Sequence, residues 1–372
     1  MKKILTVISV MIILICISPF TVNAEDGSMQ YDLSEIYNSL SDEAKQSLEN
    51  IGADSADVNK LSQLSFSSVV SEIANIASKN ISSPLKGLIS ITALLLLCSI
   101  LSAYKNTLSN EISTAINIAS TLCITCAVAT PAISVINSAS SVIELSSNLM
   151  IAYIPIMVVI MASSGNAVSS ASYYSSMIAT GEAVVQLSSK IIVPFLHMFL
   201  GLSITSSISP DINLSGFTNI ISKVIKWLLG FAMAIFTAVL TFKQLIATSL
   251  DNVSTKAVRF ALSSFVPIVG SALSEAYKTV QGSIGLLKSG VGIFVILSLA
   301  IVFLPVILQS LMWIITLWIG KSTAEVLNIS QTAKLLENIS AVFSALLAIV
   351  FCIMSIYIIS TAVVLMIGGG SA

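Results

Sequence analysis

The sequence predicts an all-α, polytopic membrane protein with about seven transmembrane helices, a cleavable signal peptide and a small helical extracytoplasmic N-terminal segment. Three observations carry this prediction. Charged residues make up 9% of the 372 and apolar ones 55%, against about 25% charged in soluble domains. The acids are crowded to one end, with ten of the eighteen between residues 25 and 72. From residue 86 onward, apolar runs long enough to cross ~30 Å of hydrocarbon as helices recur between polar breaks.

The elements follow in order. Lys2 and Lys3 open the chain, residues 4–17 are apolar, and Val22-Asn23-Ala24 places small residues at −3 and −1 for cleavage before Glu25. This is the pattern of a signal peptide over residues 1–24, and its apolar run is shorter than the ~20 residues of a span. An uncleaved N-terminal anchor is the alternative, and it leaves residues 25–83 on the same side. Cys16 does not mark a lipoprotein, because Ile15 stands where a small residue is required. A signal ahead of a polytopic protein implies that the next segment is delivered across the membrane.

That segment, residues 25–84, is acidic and reads as helical. Leu33, Ile36, Tyr37 and Leu40 recur at helical steps, and Leu61, Leu64, Ile73 and Ile76 repeat the pattern after the break at Gly52-Ala53-Asp54-Ser55. With so few large apolar groups it is marginal as an independent domain. Either it packs against the membrane domain or a partner, or it is a solvated amphipathic linker.

Residues 85–372 form the membrane domain. Spans are expected near 86–104, 115–137, 147–163, 184–207, 226–247, 291–318 and 340–367. Small Ser, Thr and Ala residues in the second and third suit close helix packing. Charge does not orient the spans, since six lysines and arginines fall on each side when residue 25 is placed outside. The richest loop, 248–288, then falls inside.

Two features are candidates for function. In the fourth span, Glu182, Gln186, Lys190 and His197 fall within about 80° of one another on a helix of 100° per residue. Ionisable groups in a bilayer usually face a bundle interior or a water path, so this stripe reads as a polar pathway or an intersubunit contact. The structural alternative places Glu182 at the interface, lets Lys190 snorkel towards it and leaves His197 a satisfied interior side chain. The second feature is a re-entrant or interfacial segment at about residues 261–288. Pro267 and Gly270 interrupt it, and a helical face beside Glu275 follows. It either lines a cavity or lies flat on the membrane surface.

Other chemistry is not indicated. There is no phosphate-binding glycine loop, HExxH or GxSxG, and the chain has one histidine. Cys123 and Cys126 have redox or metal spacing but lie within a span, with no second pair and no neighbouring histidine. No catalytic residue, metal or cofactor is expected. A single arginine, Arg259, and a net charge of −1 argue against nucleic acid.

Taken together, the signal, the acidic segment, the spans, residues 265–276, the run Leu286-Leu287-Lys288-Ser289-Gly290-Val291-Gly292 and the terminal Gly368-Gly369-Gly370 resemble the stage III sporulation protein AE family of endospore-forming Firmicutes. The resemblance implies a subunit of the channel or secretion-like complex linking mother cell and forespore, needed for forespore development. It implies a place in the mother-cell membrane around the forespore, with other stage III sporulation A-operon membrane proteins and a forespore-membrane partner as associates. The competing reading is an autonomous secondary transporter or permease using the stripe. Transporters commonly carry internal repeats, and residues 265–276 have no counterpart in the first half of the chain.

Overall fold

The computed structural model describes residues 34–53, 61, 64–103, 110–208, 215–265 and 270–366, with the backbone alone for some of those within helices. The signal peptide and Leu33 lie outside these residues. All the described elements are helical: α1 Ser34–Asn38, α2 Asp42–Ile51, α3 Phe66–Ala103, α4 Asn110–Ser163, α5 Ala167–Leu187, a π turn Ser188–Ile192, α6 Val193–Ile208, α7 Ser215–Phe265, α8 Gly270–Val326 and α9 Ser330–Met366.

Helix ends have local causes. Ser41 is extended and its side chain accepts the Ala44 N–H at 3.3 Å, capping α2. Gly52 ends α2 with φ 81°, while the N–H groups of Gly52 and Ala53 return to the carbonyls of Glu49 and Leu48, both at 2.9 Å. The same stop closes α4 at Gly165 (φ 82°) and α8 at Asn328 (φ 58°). Sequence breaks expected near 163–176 and 321–338 therefore fall on residues that tolerate left-handed backbone.

Among the described residues, five helices are long and apolar enough to cross a membrane: Phe66–Leu101, Ile118–Ser163, Met233–Val253, Leu287–Val326 and Ser330–Leu365. A shorter apolar helix covers Lys190–Ser206. This differs from the expected seven in one place above all. Residues 115–137 and 147–163 belong to a single helix, α4, 54 residues and about 81 Å long. The polar stretch between them contains no glycine or proline to stop it. Its serines bond back to their own helix instead, Ser141 Oγ to the Asn137 carbonyl at 3.2 Å and Ser146 Oγ to the Ile143 carbonyl at 2.8 Å. The segment at about 261–288 is likewise no separate element. Residues 261–265 end α7, residues 270–288 begin α8, and Pro267 lies outside the described residues.

Contacts fix the direction of each rod. Ala127 and Pro131 of α4 face Ser83 and Lys86 of α3 across a shared cavity, so these two helices are antiparallel about residues 104–109. Ser147 meets Gly181, and Asn137 meets His197, which makes α4 antiparallel to the bent rod α5–α6. Asp251 of α7 reaches the start of α5. A Cβ on Gly292 would strike Leu365 and one on Gly320 would press on Leu336, so α8 and α9 are antiparallel. Gly87 beside Trp313 and Ile91 beside Gly320 make α3 and α8 parallel. Six rods thus alternate in direction, counting α5–α6 as one.

The core lies between α8 and α9, the most extensively packed pair. Trp313 stacks on Phe343 with centroids 6.0 Å apart. The N-terminal helices belong to the same core: Ile36, Leu40 and Leu48 are buried in it, α1 touches α4, and α2 touches α3 and α8. Of the two readings of this segment, packing against the helical domain is the one observed. Ser47 Oγ donates to Glu72 of α3 at 2.8 Å, and Asn50 Nδ2 donates to its other oxygen at 3.0 Å. Exposed apolar side chains such as Leu97, Ile100, Trp227 and Phe242 cover the outer faces of α3 and α7, as lipid-facing helices require.

Candidate functional site

The expected stripe is partly assembled. On α5, Gln186 Nε2 donates to Glu182 Oε1 at 2.9 Å, the i,i+4 pair of a helix face, and both side chains are exposed. Lys190 is also exposed, within the π turn. His197 is half-buried and pairs through Nε2 with Asn137 Oδ1 of α4 at 3.3 Å. It differs from the other three in facing α4, and the π turn Ser188–Ile192 stands between Gln186 and His197. Pro194 explains this π turn: it has no N–H to offer the carbonyl four residues back, that of Lys190. Glu182, Gln186 and Lys190 therefore mark the outside of this chain, among the exposed apolar residues Ile178, Leu187 and Ile191.

The hinge candidates are placed less fully. Gly270 is the first residue of α8 and Glu275 lies in its opening turns, where the backbone alone is described.

Two polar arrangements were not expected from the sequence. Asp251, 2% exposed on α7, accepts the N–H groups of Val168 at 2.9 Å and Ser169 at 2.7 Å. These are first-turn amides of α5, which have no partner within their own helix. Thr248 Oγ1 lies 3.5 Å from Ser169 Oγ beside them. A carboxyl group from a distant helix thus caps α5 just after the Gly165 stop and ties the α4–α5 turn to α7.

The second arrangement is a cluster of hydroxyls inside the bundle. Tyr153 of α4 neighbours Tyr173 of α5 and Thr361 of α9. Tyr173 neighbours Ser360, and Tyr357 neighbours Ser147. Ser360 Oγ donates to Met177 Sδ, and Ser147 Oγ reaches the Gly181 carbonyl at 3.5 Å. The three tyrosine hydroxyls are buried without a well-formed hydrogen bond. Each such group costs about 1–3 kcal/mol, so this seam between α4, α5 and α9 is suited to taking up water.

Among the described residues, no three His, Cys, Asp or Glu side chains come together as a metal site. Cys123 and Cys126 are exposed, while Cys98 and Cys352 are buried.

These features define a polytopic helical membrane protein with charged groups on its outer face and a polar seam within. Among such proteins the chain belongs to the stage III sporulation protein AE family, whose model matches residues 54–368. That range holds every apolar helix described above. Stage III sporulation protein AE of Bacillus subtilis (strain 168) is 27% identical over 158 residues, which cover 42% of this chain and 40% of that protein. The match thus spans less than half the length of that relative. No solved structure matches.

Proposed function

We propose that this sporulation membrane protein is a subunit of the channel or secretion-like complex that links mother cell and forespore and is needed for forespore development. It lies in the mother-cell membrane around the forespore with its N-terminal helices extracytoplasmic. Its partners are other stage III sporulation A-operon membrane proteins and a protein of the forespore membrane. The family membership supports the sporulation role. What favours assembly over an autonomous transporter is the outward position of Glu182 and Lys190 among apolar neighbours. A charged side chain at the bilayer centre costs about 2.5–3.5 kcal/mol on insertion scales. An adjoining subunit on this face would remove that exposure, whereas a transport path would need the same groups turned inward.

Pull-down of the tagged full-length chain from sporulating-cell membranes tests the proposal. The unaltered chain should recover the other membrane components, and the double variant Glu182→Leu/Lys190→Leu should recover about tenfold less, as loss of about 1.4 kcal/mol of contact would give. Recovery of no partner by the unaltered chain would overturn the complex. Full recovery by the double variant would remove this face from the contact.

A further inference from the structure

An open cavity of about 430 Å³ lies between α3, α4 and α8. Its wall mixes polar and apolar groups. From α3 come the hydroxyls of Ser82, Ser83 and Ser90 and the ammonium group of Lys86, which forms no ion pair among the described residues. The indole of Trp313 closes the inner end. Trp313 is 0% exposed, yet its N–H has no hydrogen-bond partner. Two contacts hold it there: the stack on Phe343 and the close approach to Gly87, where a Cβ would lie 2.4 Å from the ring. Pro131 lines the α4 side together with Ala127. Because Pro131 has no N–H, the Ala127 carbonyl four residues earlier keeps a free acceptor.

The cavity thus gathers one cation and three hydroxyls with no acidic side chain, which is the donor set of an oxyanion site. Leu85 and Ile89, both exposed, flank Lys86 on the same helix. A ligand seated here would carry its polar end into the cavity and its apolar remainder along α3. We infer that the cavity binds the phosphate of a phospholipid headgroup, with Lys86 and the hydroxyls of Ser82, Ser83 and Ser90 as its donors. The free Ala127 carbonyl suits a headgroup hydroxyl, such as that of glycerol.

Binding of the purified full-length protein to phosphatidylglycerol vesicles, with phosphatidylcholine vesicles for comparison, tests the inference, and a parallel titration uses inorganic phosphate. Lys86→Ala should weaken binding to phosphatidylglycerol about tenfold, the scale of one hydrogen bond to a charged group, and Trp313→Phe, whose lost N–H has no accessible surface, should leave it unchanged. Lys86→Arg should retain it, and so should Lys243→Ala, which removes an exposed lysine elsewhere on the exterior. If inorganic phosphate binds and phosphatidylglycerol does not, with the same loss in Lys86→Ala, the oxyanion site stands and the lipid assignment falls. Unchanged binding in Lys86→Ala, or an equal loss in Lys243→Ala, would overturn the site. Lys86 is exposed, so its replacement leaves the fold intact even if Trp313→Phe does not.

Discussion

At the scale of single residues, the side chain with most consequence for the fold is Asp251. It is buried, and it satisfies two amides at the start of α5 that nothing else in the described structure reaches. Asp251→Ala leaves both N–H groups unpaired inside the bundle and should lower stability by about 2–4 kcal/mol. Asp251→Asn keeps one acceptor and should cost about half as much. Thermal unfolding in detergent would measure both, and an unaltered midpoint for Asp251→Ala would show that the clamp is not needed. Nothing near Asp251 in sequence announces this role, because its partners stand 82 and 83 residues away. Local pairs are legible by contrast: the four-residue spacing of Glu182 and Gln186 already implies the hydrogen bond observed. The sequence did not show that His197 alone of the four would be half-buried against Asn137 of α4, because that contact spans 60 residues.

At the scale of elements, helix stops were legible where glycine or asparagine supplied a left-handed residue, and lengths were not. Serine-rich stretches look like breaks by composition, yet the hydroxyls of Ser141 and Ser146 in α4 bond to the preceding turn and let the helix continue. The first N-terminal helix was legible from the spacing of Ile36 and Tyr37, but α2 as a separate helix and the docking of the pair were not. The docking depends on Glu72, whose carboxyl oxygens receive Ser47 and Asn50 from α2 and Asn75 from its own helix. Glu72→Leu would leave the Ser47 and Asn50 donors facing an apolar group, at about 2–3 kcal/mol. Hydrogen exchange over Asp42–Ile51 should then rise about 30-fold or more while α9 stays protected. If exchange over α2 is unchanged, the apolar contacts of Leu48 and Ile51 hold the docking by themselves.

At the scale of the whole molecule, the alternation of rods has a topological consequence that differs from the expectation of seven spans. A continuous helix crosses a bilayer once, so α4 carries the chain from the face where α3 ends to the face of Gly165. With the α5–α6 rod crossing back, Phe66, Gly165 and the end of α9 share one face, and the end of α3, the end of α6 and Asn328 share the other. The N-terminal helices and the basic loop 248–288 then lie towards the same side. A signal peptide over residues 1–24, as the sequence predicts, would draw that side outward and the positive charges would draw it inward; the signal should prevail, because the bias of residues 248–288 is offset by lysines on the opposite face. Single cysteines at the exposed positions Ser65, Ser163 and Ser330, in a chain with Cys16, Cys98, Cys123, Cys126 and Cys352 replaced, distinguish the alternatives with a membrane-impermeant thiol reagent. Six crossings predict that Ser65→Cys and Ser163→Cys label from outside and Ser330→Cys does not. Seven spans predict labelling at Ser65→Cys and Ser330→Cys but not at Ser163→Cys. Labelling at all three would mean that the apolar helix Lys190–Ser206 stays out of the hydrocarbon and that the five longer helices cross alone. In that case Asp251 and the first turn of α5 could not meet across the bilayer, so the clamp and the six-crossing topology stand or fall together.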